Sequence, residues 1–303
     1  MVMRFSGLDL NLLVALNALL EEKSVTRAAD RLNTTQPAMS AALSKLREYF
    51  ADELLTRAGR EMVLTAQAEC LQRPIAEVLA AVQHAMRTKP GFDPSVSDRV
   101  FRIMVSDYVA SITLPPLLAV LQTLAPSVQI DLVPSDETMI TKLERGEIDL
   151  AVAPERYLSN DHPSSILCED EYVVVVDRNN PEVGDAITLD QYLEMKHVVV
   201  NLANDRTPMF DEWFLEHFNI TRKHSVCVPI FSIVPALLVD TRLIATMHKK
   251  LATRLARHFN IRLVSGPPKD FPTLREHMQW HRLRDHDLGL AWLREQLFRA
   301  AQE

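Results

Sequence analysis

The sequence predicts an α/β chain. Its head is a mainly α winged helix-turn-helix, followed by a long linker helix and a C-terminal two-lobed α/β region. Three observations predict this. Ser24 to Leu46 reads as two short helices joined by a polar turn; apolar residues from Ala68 to Ala85 recur at steps of three and four; and from Val100 onward short β-rich runs alternate with helical stretches.

The head begins with an amphipathic helix supplied by Leu10, Leu12, Leu13, Leu16, Leu19 and Leu20. Ser24 stands where an N-cap offers its hydroxyl to unpaired backbone donors. Val25, Ala28, Ala29 and Leu32 then fall on one buried stripe, and the two alanines let a second helix approach closely. Asn33, Thr34 and Thr35 form the turn. Thr35 caps the next helix, Pro37 sits in its first turn where a missing N–H costs nothing, and Met39, Leu43 and Leu46 face inward. Gln36, Ser40, Ser44 and Arg47 are left on or near the outer face, with side chains of the kind that reach base edges and phosphates in a major groove. Asp52 to Thr65 adds a short extended pair turning at Ala58-Gly59, which completes a winged unit with double-stranded DNA as the implied partner.

Charge shapes that expectation. The chain carries 33 basic and 40 acidic residues, a net of −7, which is not the balance of a protein that coats nucleic acid nonspecifically. Residues 1–65 hold eight of each sign, so the DNA face must be a local patch, with Lys45, Arg47, Arg57 and Arg60 as members. Its affinity should fall steeply with salt. A module this neutral gains from being doubled. Ala68, Leu71, Ile75, Val78, Val82 and Ala85 form a heptad seam through which the linker helix would pair with its own copy and hold two winged units on two half-sites, while Pro74 should bend the helix or remove one backbone bond.

The 303 residues leave about two hundred after this helix, enough for another core or two. The linker ends around Lys89 to Pro94. Val100–Val105, Leu114–Leu124, Val128–Val133, Met139–Glu144 and Asp149–Val152 then read as βαβ units and a parallel sheet. Further strands are expected at Tyr172–Val176, His197–Val200, Val226–Phe231, Leu243–Met247, Ile261–Val264 and Met278–His281. Such a series suits two lobes, with crossings at Cys168–Glu171 and Gly266–Lys269. Ligands of open α/β sheets bind at the carboxyl ends of strands. Candidate effector residues are therefore Ser106, Asp107 and Tyr108 after the first strand, then Thr113 with Pro115-Pro116 in a helix start whose free N–H groups favour an anion, then Asn201, Asn204, Thr207 and Phe231.

At the level of motifs, residues 8–65 resemble the DNA-binding domain of LysR-type transcriptional regulators, from Leu8-Asp9-Leu10-Asn11-Leu12-Leu13 through Ser24-Val25-Thr26-Arg27-Ala28-Ala29, Gln36-Pro37-Ala38-Met39-Ser40 and Leu43-Ser44-Lys45-Leu46-Arg47 to Leu64-Thr65. Arg4-Phe5, Gly7 to Leu16 and Gln36 to Ala42 are most similar to the rhizobial nodulation regulators and their salicylate- and nitroaromatic-responsive relatives. The resemblance implies that Gln36, Pro37, Ser40 and Arg57 face DNA; with Thr26, Thr35, Lys45 and Arg47 they make up the candidate DNA-binding set. Leu55 replaces a frequent phenylalanine, Glu61 a frequent glycine, and Ala66-Gln67-Ala68 a frequent proline and glycine; Glu61 near a phosphate would weaken binding.

The same resemblance covers the whole chain. It implies a DNA-binding domain at 1–65, a dimerisation helix at 66–89, and a periplasmic-binding-protein-like effector domain whose first lobe is 94–168 plus 268–303 and whose second is 169–267. It further implies a dimer that pairs again into a tetramer, RNA polymerase as a further partner, and a small aromatic or carboxylate-bearing effector between the lobes. No cofactor is expected.

Other classes fit less well. Cys70, Cys168 and Cys227 follow no CxxC pattern; a thiol-redox response through Cys168 and Cys227 is an alternative, weakened by the apolar strand around Cys227, where a buried thiol would be inert. His281 and His286 lack zinc-helix spacing, His248 has no partner visible in sequence, and GxSxG, P-loop and GxGxxG runs are missing, so a catalytic or ligand-carrying protein of the same lobed fold is the weaker reading. No stretch of eighteen apolar residues and no signal-peptide pattern occur, so a cytoplasmic protein without a membrane segment is expected.

Overall fold

In the computed structural model the described residues are 10–59, 61–87 (side chains to 82), 91–202, 219–220, 222–266 and 273–302. The chain divides into two compact units near Thr88 and Lys89.

The first unit contains α1 (Leu10–Glu22), α2 (Val25–Arg31), α3 (Gln36–Phe50), the hairpin β1 (Leu55–Ala58) and β2 (Glu61–Leu64), and α4 (Ala66–Arg87). Ser24 caps α2 by accepting from the Arg27 amide, and Thr35 caps α3 by accepting from the Ala38 amide, with Pro37 in the first turn. Between them Asn33 takes a left-handed φ of 50°, which asparagine tolerates better than most side chains. Ala28 and Ala29 are fully buried, and Met39, Leu43 and Leu46 meet them together with Leu16, Leu19 and Leu20 of α1.

Helix α4 uses part of its apolar stripe within its own unit. Ala68 and Ile75 are buried in this unit's own core and Leu71 packs against it, while Val78 is 45% exposed. The first half of the apolar stripe is therefore used at home, because α4 lies along α1. Thr65 caps α4 through the Ala68 amide, and its hydroxyl donates to Asp52 Oδ1 at 2.6 Å, which also accepts the Leu54 amide. That carboxylate fastens the base of the wing.

The second unit contains two five-stranded sheets. One has the order β4 (Gln129–Pro134), β3 (Val100–Val105), β5 (Leu150–Pro154), β12 (Leu274–Gln279), β6 (Ser164–Asp170). The other runs β11 (Ile261–Val264), β7 (Tyr172–Asp177), β10 (Ile244–His248), β8 (Lys196–Val200), β9 (Lys223–Val228). The expected parallel arrangement holds only for β4-β3-β5 and β10-β8-β9; β12 is antiparallel to β5 and β6, and β7 to β10 and β11. The chain changes sheet twice, and β7 and β12, the strands that follow the two changes, are the antiparallel ones. The first change is tighter than expected, since Cys168 to Asp170 belong to β6 and Glu171 alone separates it from β7; of the second, Lys269 lies outside the described residues.

Helices α5 (Asp107–Leu124), α6 (Met139–Glu144), α7 (Leu189–Glu194), α8 (Val234–Leu238), α9 (Lys249–Leu255) and α10 (Leu288–Ala300) accompany the sheets. The expected helix start at Thr113 to Pro116 is incorrect. Ser106 caps α5, which begins at Asp107, so the two prolines lie inside the helix and offer no free N-terminal amides to an anion. By length and composition α5 could cross a membrane; here Tyr108, Val109, Leu117 and Leu121 bury it in the core, against α10 and α9. Asp149, buried, is ion-paired with Arg284 and accepts the Arg102 amide at 2.7 Å.

Candidate DNA-binding face and effector cleft

The first unit presents its polar residues around the start of α3. Gln36 and Pro37 are exposed in the first turn, Ser40 is half-buried one turn later, and Thr26, Thr35 and Lys45 are exposed. The N-terminus of a helix directs N–H groups outward and favours phosphate, so this end of α3 combines polar side chains with a fixed positive potential. Arg57 stands exposed on the wing, paired in register with Met62, and Glu61 pairs with Ala58 at the tip. Arg60 lies outside the described residues.

Arg47 has a different occupation from the one expected. Its Nε donates to the Glu53 carbonyl at 2.8 Å and its Nη2 to the Leu55 carbonyl at 2.9 Å, with the Glu53 carboxylate also 3.2 Å from Nε. The guanidinium ties α3 to the wing.

In the second unit a cleft of about 150 Å³ opens between the two sheets. Ser106, Asn201 and Phe231 line it as expected from their strand-end positions. Asp107, Tyr108 and Thr113 do not. Asp107 accepts the amides of Phe231 and Ser232 at 3.1 and 2.7 Å, so its carboxylate joins α5 to the turn before α8 on the other sheet. The Tyr108 hydroxyl donates to Asp170 at 2.9 Å; burial, then the charge of Asp170, push that phenol's pKa well up. Thr113 is buried and donates to the Val109 carbonyl. Asn204 and Thr207 lie outside the described residues.

Sequence reasoning missed the cleft's most perturbed groups. His248 ends β10, stacked on Tyr108 at 3.9 Å and edge-on to Phe231 at 4.4 Å, and burial lowers its pKa to about 3. Glu276 lines the cleft from β12, and burial raises its carboxyl to about 8. Asp136 is also there. Burial pushes it upward, but hydrogen bonds from Lys142 and Thr138 outweigh this and hold it below the ordinary carboxylate range. The strand-end rule could have found His248; Glu276, a lone acid in an inward strand position, gave the other signal.

Cys227 is placed opposite to expectation. It is exposed on the edge strand β9, whereas Cys168 is buried, its pKa raised to about 11 by burial and then by Glu276. A thiol held protonated in this way is a poor redox sensor.

Comparison with known proteins fits this geometry. Residues 10–69 match the model of the bacterial regulatory helix-turn-helix proteins of the lysR family, and residues 95–302 match the LysR substrate binding domain. The chain is 39% identical to Nodulation protein D of Bradyrhizobium sp. (strain ANU 289), over 99% of this chain and 88% of that protein. It is 39% identical to Nodulation protein D 2 of Rhizobium tropici, over 99% and 95%. Among solved structures, a probable transcriptional regulator from Pseudomonas aeruginosa, PA0477, aligns with a TM-score of 0.66 and 32% identity over 96% of both chains.

Proposed function

Since the chain belongs to the LysR family of transcriptional regulators, within its nodulation-regulator subgroup, we propose that α3 and the wing read paired half-sites of double-stranded DNA, and that a small effector in the cleft controls this binding. The observation that carries the reading is the capped start of α3, where Gln36 and Pro37 are exposed and Ser40 half-buried, together with an exposed Arg57 on a wing whose base is fastened. Thr26, Thr35 and Lys45, also exposed, belong to the proposed face. Arg47 supports the wing.

A dimer through α4, doubled again, would place these faces on successive half-sites. The exposed Val78 supports a partner on the far side of that helix. The effector would be a small aromatic or carboxylate-bearing compound; the apolar and aromatic lining, with Ser106, Asn201 and Phe231 at its rim, supports a ring. Bound between the sheets, it would shift their closure and through it the spacing of the DNA-binding pairs. Such a shift needs a ligand with different affinity for the two arrangements. RNA polymerase would be the downstream partner.

The test is a footprint on the DNA upstream of the chain's own gene, repeated with salicylate-like and flavonoid-like compounds. A protected pair of half-sites whose spacing or bend changes with one class is expected. Absence of any footprint change, heat of binding or melting shift with either class would remove the effector from the account.

A further inference from the structure

Two buried polar atoms at the cleft have no hydrogen-bond partner among the described residues: Oε2 of Glu276 and Nδ1 of His248. The residues are only 4% and 3% exposed and come from different sheets, Glu276 from β12 and His248 from β10. Buried polar groups are nearly always satisfied, so two such atoms left open on the lining of one cavity mark the place where a bound molecule completes the network.

The surroundings indicate the chemistry of that molecule. Asp136 is occupied by Lys142 at 2.5 Å, Glu137 is exposed at the mouth, and none of the described lining residues is a lysine or arginine. A bound carboxylate would meet acids without a lining cation among the described residues, while Phe231, Met139, Ile140 and Val152 offer apolar surface to a ring. We infer that Glu276 and His248 are the specificity-determining pair of the cleft, holding an uncharged ring-bearing ligand through an amide- or hydroxyl-type group and rejecting its carboxylate counterpart.

This rests on the reading of the cleft as the effector site, and it narrows the ligand class proposed there. Below about pH 8 the Glu276 carboxyl keeps its proton and donates it, and the neutral His248 ring offers one donor and one acceptor. Glu276 acts on Tyr108 of α5, Cys168 of β6 and Tyr172 of β7; Asp170, Lys250 and Arg156 act on the same cluster, and His248, Asp136 and Glu137 line the same cleft. Both tyrosines are raised and Cys168 stands near 11, so Glu276 is the group of this cluster that titrates just above neutrality.

The experiment is isothermal titration of the full chain with benzamide and with benzoate, at pH 7 and about pH 9.5, for wild type and Glu276→Gln. Wild type should bind benzamide at least about tenfold more tightly than benzoate. Its benzamide affinity should fall about 30-fold at the higher pH, because about 3% of an acid remains protonated 1.5 units above its pKa. Glu276→Gln, uncharged at both pH values, should keep the preference and lose the pH dependence. Benzoate binding as tightly as benzamide, or a flat pH response in wild type, would overturn the pair's role and leave the effector site standing. Neither probe binding to folded wild type at millimolar concentration would overturn the effector-site reading and this inference with it. Should Glu276→Gln fail to fold by circular dichroism, the two wild-type comparisons still decide.

Discussion

Replacing Asp107 by alanine should loosen the junction between the two sheets of the second unit. The carboxylate accepts the Phe231 amide at 3.1 Å and the Ser232 amide at 2.7 Å, and alanine leaves both donors without that acceptor. Hydrogen bonds to a charged group are worth about 1.5–3 kcal/mol each when well buried. Asp107 is half-buried and water can replace part of each bond, so about 3 kcal/mol for the two together is the working figure. At about 1.4 kcal/mol per factor of ten, that corresponds to roughly a hundredfold more frequent opening of the turn. Hydrogen exchange read by mass spectrometry over a peptide containing Phe231 and Ser232 measures it directly. Asp107→Asn, which keeps one acceptor oxygen, should show about half the free-energy effect. Unchanged exchange at this turn in a folded Asp107→Ala protein would refute the role of the carboxylate as a connector between sheets.

Three further outcomes follow from other contacts. Arg47→Ala should weaken DNA binding with an unchanged salt slope, since its guanidinium holds the wing, whereas Arg57→Ala should lower the slope by about one; binding isotherms across salt concentrations separate the two. Gly289→Ala should cost about 1–3 kcal/mol in a thermal melt, because the new Cβ would lie 2.6 Å from Arg99 Nη1, whose guanidinium is fixed by two 2.6 Å bonds to Asp287. The folded Glu276 carboxyl titrates above its ordinary value, near 8 rather than 4.5, so the native state holds the proton that the unfolded chain has released; stability should fall as pH rises between those values, and Glu276→Gln should flatten that part of the denaturation profile.

The head was readable because its signals are local. Ser24 and Thr35 cap the helices they precede, and Ala28, Ala29, Met39, Leu43 and Leu46 face inward at the spacing that announced them. The bonds of Arg47 were not readable, since periodicity gives a side chain's direction and says nothing of the wing carbonyls that return beside it. The α4 stripe was ambiguous for a related reason, as Ala68, Leu71 and Ile75 satisfy a heptad whether the apolar neighbour is a second copy or α1. In α5 the proline pair suggested a start, yet Ser106, directly after β3 and seven residues before Thr113, supplied the cap, and buried apolar packing carries the helix through both prolines.

Strand positions were legible wherever valine and isoleucine ran together, as in β7, β8 and β11. Strand β6 was not, because Ser164 and Ser165 open it and Ile166 is 46% exposed, which leaves no apolar run to detect. Strand direction was equally hidden, since β12 joins its sheet from a distant part of the chain. The cleft shows the same division. Ser106, Asn201 and Phe231 lie at strand ends and were found by topology, while His248 and Glu276 gain their character from burial against Tyr108, Cys168 and Tyr172, a property of packing.

The central claim, that the start of α3 reads DNA, is tested most directly by footprinting wild type beside Gln36→Ala and Ser40→Ala on the DNA upstream of the chain's own gene. The account predicts specific protection of paired half-sites in wild type and clear weakening by either substitution, with both variants as stable as wild type. Protection that is nonspecific at low salt, or specific protection that neither substitution changes, would contradict it.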